Sequence, residues 1–187
     1  KFFPEGGNLV KGVPSQVAFE ATDAYGNPIT LFGRIINRRK EEIGHFATIH
    51  EGRGVFTYIP TGEDADKAEV ELGGKKYRFD LPEVCSQGYV LHVDNLTSED
   101  SIAVSVQKNT YTPSNLLGLA VIAHGKLLNS CLLNVGKNTP VSFKLDKSEW
   151  TPGVVQLVLF DTAGQIIADR LVFTRKPELL AVDVRKS

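Results

Sequence analysis

Glu5, framed by a proline and two glycines in Phe2-Phe3-Pro4-Glu5-Gly6-Gly7, is the first side chain in this sequence placed where chemistry could be done. General acid–base work needs a positioned partner or a displaced pKa. Neither a second carboxylate nor a histidine follows inside the motif. Pro4 fixes its own φ and holds Phe3 extended, and Gly6-Gly7 permits a bend that other residues resist. The stretch reads as a structural turn in which Phe2 or Phe3 anchors the following strand to a core or to a preceding domain.

The other reactive residue types are thinly spread. His45 and His50 lie five positions apart across a turn or strand, too far for adjacent ligands on one face, and His92 and His124 are isolated. Each reads as a surface or hydrogen-bonded histidine, and a metal site would need partners from elsewhere. Cys85 and Cys131 form no Cys-x-x-Cys or zinc spacing. They are either one bridge closing a long loop in an oxidising compartment or two buried thiols acting as small apolar side chains. Arg53, in the Gly-x-Gly stretch of "HEGRGVFTYIP", is a candidate for anion or ligand binding. That stretch leads into a strand, whereas a phosphate loop opens a helix, so a β-bulge or tight hairpin is the structural alternative. Trp150, before a Pro-Gly turn, is the candidate for stacking on a sugar, with burial at the start of the next strand as its alternative. "GRIINRRKEE" offers Arg38, Arg39 and Lys40 offset by Glu41 and Glu42, either a solvated hairpin tip or a docking patch. No catalytic elbow, Walker sequence or His-Glu-x-x-His occurs. No catalytic residue, cofactor or metal ligand is expected.

The elements that must position these residues are strands. "VAFEA", "VFTYIP", "KYRFDL", "YVLHVD", "SIAVSVQ" and "VSFKLD" alternate apolar and polar positions, the period of antiparallel strands covering a core on one side. In "KYRFDL" the inward set is Tyr77, Phe79 and Leu81. "LLGLAVIAH" and "VVQLVLF" are apolar on both faces and suit central strands. Turn residues punctuate the chain every 8 to 12 residues, as in β-sandwiches.

The 187 residues allow one large domain or two of about 100. "VAFEATDAYGNPIT" and "VQLVLFDTAGQIIA" share a strand, Asp-x-x-Gly, then a second strand, which is hairpin chemistry and suggests a repeat. Leu81-Pro82-Glu83 marks a junction, so the expected division is 1–82 and 83–177, with 178–187 a linker or the first strand of a further domain. A net charge of −1 offers no basic field for nucleic acid, and no apolar run reaches the roughly 20 residues of a spanning helix. The chain begins at Lys1 without methionine. It is expected to be a piece of something longer, so an absent signal peptide says nothing about export.

"FFPEGGNLV", "VAFEATDAYGNPI", "HEGRGVFTYIP" and "LVLFDTAGQIIADRLVF", in that order, resemble consecutive macroglobulin-type domains. These are the immunoglobulin-like sandwiches of the alpha-2-macroglobulin and complement superfamily, and the likeness is to versions in large exported proteins of Bacteroidetes. The resemblance implies two tandem all-β sandwiches, with Val17–Thr30 and Gly54–Pro60 as core strands of the first and Val154–Phe160 and Asp169–Phe173 closing the second. It also implies export to the periplasm or cell surface, in association with the outer membrane, and neighbouring domains in the parent chain. The family's thioester requires Cys-Gly-Glu-Gln, whereas Cys85 is followed by Ser-Gln-Gly and Cys131 by Leu-Leu-Asn, so none is expected. The function expected is a non-catalytic module that spaces domains or docks an envelope protein, without nucleic acid and without inserting into the membrane. The alternative is a carbohydrate- or peptide-binding module acting through loops near Arg53 or Trp150.

Overall fold

The computed structural model describes residues 1–62, 66–137 and 139–175, and the expected tail at 178–187 lies outside them. Sixteen strands and no helix make up the described chain. The first half contains β1 (Phe2–Pro4), β2 (Leu9–Val10), β3 (Ser15–Glu20), β4 (Phe32–Ile36), β5 (Glu42–Ala47), β6 (Arg53–Tyr58), β7 (Lys67–Leu72) and β8 (Lys75–Asp80). The second contains β9 (Val84–Cys85), β10 (Tyr89–Asp94), β11 (Ser101–Lys108), β12 (Leu116–Ala123), β13 (Lys126–Asn134), β14 (Val141–Asp146), β15 (Gly153–Phe160) and β16 (Ile166–Thr174).

Alternation puts Val17 and Phe19 of β3 and Phe56 and Tyr58 of β6 on one side of a three-stranded sheet ordered β1-β3-β6. They pack against Ile35, Phe46, Ala68 and Val70 from a four-stranded sheet ordered β5-β4-β7-β8. The second half repeats the plan, with β10-β11-β14 over β13-β12-β15-β16. Its core runs from Leu91, Ile102 and Val104 to Leu119, Leu157 and Leu159. Strand for strand, the order of the first pair of sheets is that of the second. The chain is thus two tandem immunoglobulin-like antiparallel sandwiches.

Three sequence expectations change in detail. First, β3 ends at Glu20, so Val17–Thr30 is not continuous strand. The segment after it is a turn closed by an isolated Thr22–Pro28 bridge, which carries the chain across to the facing sheet. The second Asp-x-x-Gly joins β15 to β16 as a true hairpin. Asp23 and Asp161 nevertheless accept the same pair of backbone N–H groups, two and four residues on, at 2.8 and 2.9 Å. The likeness of the two stretches is therefore local turn chemistry, since β3 and β15 occupy different places in their sandwiches.

Second, Tyr77 and Phe79 of β8 pair with the buried Val70 and Ala68, yet they remain 44% and 50% exposed. A four-stranded sheet overhangs a three-stranded one, so its last strand becomes a ledge that none of the described residues roofs. Third, Cys85 and Cys131 are free, half-buried thiols on β9 and β13; they are neither bridged nor fully buried.

Candidate functional site: the junction between the sandwiches

The Pro4-Glu5-Gly6-Gly7 turn lies against the second sandwich. Gly7 N–H donates to the Pro4 carbonyl at 3.0 Å, and Gly6 and Gly7 have φ of 75° and 96°. A Cβ at Gly6 would lie 3.4 Å from both Ala168 Cβ and the Leu91 carbonyl oxygen. Glycine is favoured here by the left-handed backbone, while a Cβ would only come into contact with its neighbours.

This approach delivers Glu5 into a ring of donors. Its carboxylate, 7% exposed, lies 2.6 Å from His92 Nδ1 and 3.2 Å from Arg170 Nε, and it accepts the Val93 N–H at 3.1 Å. An ionised carboxylate only accepts, so His92 Nδ1 carries the proton. His92 stands on β10. Arg170 stands on β16, the strand that corresponds to β8 and forms the ledge of the second sandwich. That ledge is covered by the Glu5 turn, whereas among the described residues the ledge of the first sandwich has no such cover.

Backbone and side chains extend the junction. β2 pairs in parallel with β9, Leu9 beside Val84 and Val10 beside Cys85, and Lys11 N–H donates to the Cys85 carbonyl at 3.0 Å. Val10, Val13 and Val90 form a small apolar cluster of their own. Asn109 Nδ2 donates to the Lys11 carbonyl at 3.2 Å and to the Ser86 carbonyl at 2.7 Å. The loop carrying this contact is held by Lys108, fully buried, whose ammonium donates to the Thr112 and Ser114 carbonyls at 2.7 and 2.9 Å and to Asn115 Oδ1 at 2.5 Å. The segment after Pro82 is thus hydrogen-bonded to both neighbours.

The candidate ligand residues are not brought together. Arg53 belongs to the first sandwich, in a two-residue hairpin whose Glu51 and Gly52 have φ of 44° and 72°, and its guanidinium pairs with Glu20 at 3.4 Å. Trp150 belongs to the core of the second sandwich and is 8% exposed. His45 stacks on Phe32 with ring centroids 6.0 Å apart, and His50 lies 3.8 Å from Glu51. Arg38 and Arg39 sit on a hairpin tip organised by Asn37, whose Oδ1 accepts the N–H groups of Arg39 and Glu41. On the outer face of the first four-stranded sheet, Glu69 is covered by charged neighbours rather than by core. Bonds from Arg34 and then Arg78 hold its carboxyl below the usual carboxylate range.

Two shallow clefts flank the junction. One, of about 240 Å³, contains Tyr58, Asp66, Lys67 and Asp80. Its polar groups are engaged with one another: Tyr58 hydroxyl donates to Asp66 at 2.5 Å, and Lys67 pairs with Asp80. Burial first, and then Asp66, push the Tyr58 hydroxyl pKa upward. The other cleft, of about 360 Å³, contains Cys85, Thr112 and Asp161. Among the described residues, no group of histidine, cysteine and acidic side chains is arranged to hold a metal. Sequence reasoning missed the functional partners of Glu5 because His92 and Arg170 lie 87 and 165 positions away; the only local sign was an acid placed in a glycine turn.

No protein-family model matches the chain, and no curated protein matches it by sequence. Among solved structures, the chain is similar to E. coli alpha-2-macroglobulin in its native conformation, at 14% identity and a TM-score of 0.32, over 93% of this chain and 14% of that one. It is similar to the BSP domain of a biofilm associated protein at 10% identity and a TM-score of 0.41, over 95% and 30%. It is also similar to dimeric latent PorU from Porphyromonas gingivalis at 13% identity and a TM-score of 0.49, over 93% and 20%. The chain therefore spans less than a third of each of these larger proteins. At these identities and TM-scores none of them bears on function, and the fold stands on its own strand pairing.

Proposed function

We propose that the chain is a non-catalytic spacer of a larger exported protein, built from two modules dividing at Pro82 into residues 1–82 and 83–177. It fixes the separation and orientation of neighbouring parts and docks protein partners of the cell envelope, at the periplasm or cell surface, with no role for nucleic acid. The observation that carries the reading is the Glu5 latch: a nearly buried carboxylate of one sandwich bonded to two elements of the other. Sandwiches fill their interiors with side chains and leave interaction to loops and edges. Placement in the envelope rests on the resemblance of the opening and hairpin motifs. The loop-binding alternative has little presented for it, since the Trp150 ring is buried and Arg53 is paired with Glu20.

The test is backbone ¹⁵N relaxation of the whole chain. A spacer with a locked junction gives both sandwiches one rotational correlation time. Two independent, shorter times would remove the basis for the proposal.

A further inference from the structure

We propose that the β8 ledge of the first sandwich is the seat of a turn from a further sandwich preceding it in the parent protein, and that this turn carries an apolar side chain where the Pro4–Gly7 turn carries Glu5. The inference deepens the spacer reading and rests on its larger parent.

The joint inside this chain shows how such a ledge is filled. A head-to-tail joint uses two different surfaces, so a unit that lends its turn forward keeps its own ledge free for the unit behind. The first sandwich lends the Pro4–Gly7 turn, which lies over the flank where β10 runs beside β16. Under it Ala168 is only 5% exposed, and Arg170, on the same inward side of β16, meets Glu5. By strand order, β1 and β8 are the counterparts of β10 and β16. In the first sandwich the sheets approach at the opposite flank instead, β6 beside β5, which leaves the β8 side open. Its inward side chains Tyr77 and Phe79, across from the buried Val70 and Ala68, stay half exposed.

The sequence repeats the other half of the joint. Pro82-Glu83-Val84-Cys85 follows the last strand of the first sandwich and supplies β9, which pairs with β2. Pro177-Glu178-Leu179-Leu180 follows the last strand of the second. Proline, acid and two apolar residues recur at the same place, so the joint belongs to a repeating series rather than to this pair of sandwiches alone.

The ledge itself sets the chemistry of the occupant. On β16 an inward cation, Arg170, receives an acid. On β8 the cations Lys76 and Arg78 point to the other face, toward Glu69, and two aromatic rings take the inward places. An acid laid over Phe79 would give up water without a cation in return, whereas an apolar side chain removes exposed ring surface from water.

The test uses the whole parent protein, with p-benzoylphenylalanine in place of Phe79 and photocross-links mapped by mass spectrometry. The expected product is a link within one polypeptide to a residue that precedes Lys1. Hydrogen exchange gives a second readout that needs no substitution. The N–H groups of β8, residues 75–80, exchange roughly tenfold more slowly in the parent than in the 187-residue chain by itself. A cross-link to another polypeptide, to a second copy or to a residue after Ser187 overturns the proposal, as does no cross-link or equal exchange in the two samples. Relaxation of this chain by itself reads only the Glu5 joint. Two correlation times with Phe79 still linked to the preceding sandwich would sink the spacer reading alone. One correlation time with Phe79 unlinked would sink this inference alone.

Discussion

At the scale of single residues, Glu5 shows how a glycine turn in one sandwich can deliver an acid to donors of the other. Its carboxylate is nearly buried, but its partners His92 and Arg170 are 41% and 46% exposed, so water can re-solvate them when the acid is removed. Charged hydrogen bonds contribute about 1.5–3 kcal/mol when buried, and exposure of the cations lowers this. Glu5→Ala is therefore expected to destabilise the chain by about 1–2 kcal/mol, read from the urea midpoint; no change would show that the latch holds nothing. Asp94, which ends β10, is a second such residue. Hydrogen bonds from the Thr97 hydroxyl first, and then from the Leu96 and Thr97 N–H groups, hold its pKa at about 2 against an ordinary 3.8. A carboxyl depressed on folding stabilises the native state fully above its unfolded value and loses that contribution as pH falls through the folded one. The melting temperature is thus expected to drop between pH 4 and pH 2, with Asp23, Glu69 and Asp146 acting in the same direction. Asp94→Asn should make that drop shallower, and an unaltered slope would remove Asp94 from the account.

At the scale of elements, turns set where strands go. Gly52 has φ of 72°, and a Cβ there would sit 2.4 Å from the Ala21 carbonyl oxygen, the backbone against which the Glu51-Gly52 hairpin folds. Gly52→Ala meets both the strain and the clash, and it is expected to cost about 2–3 kcal/mol. Gly74→Ala, at φ of 75° with open space around its Cβ position, meets the strain alone and should cost less. Equal costs, measured by thermal unfolding, would show that the close approach is immaterial. These local devices were legible in the sequence, because Asp-x-x-Gly and Glu-Gly turns follow from side chains a few residues apart. The inward faces of β3, β6 and β11 were legible for the same reason, since alternation depends on the strand alone. What failed depended on distant partners. Tyr77 and Phe79 alternate as core residues do, yet they stand on a ledge because the facing sheet is one strand narrower. The two-faced apolar pattern of β12 and β15 correctly marks them as central strands, but it could not reveal that the sheet beyond them turns an apolar face to solvent. Nothing near Glu5 in sequence announces His92 or Arg170.

At the scale of the whole molecule, the account comes down to whether two sandwiches behave as one body. Among the connections that bear on this are the Glu5 latch, the parallel pairing of β2 with β9, and the Asn109 bridge to Lys11 and Ser86. The first and the third each rest on one removable side chain, Glu5 and Asn109, whereas the strand pairing is made by backbone. The most direct measurement is the distance distribution between spin labels placed at Lys75 and Lys126, exposed positions in the first and second sandwiches, with Cys85 and Cys131 replaced by serine. The account predicts one narrow distance for the otherwise unaltered chain and a broadened distribution for Glu5→Ala. A broad distribution already present with Glu5 intact would contradict it.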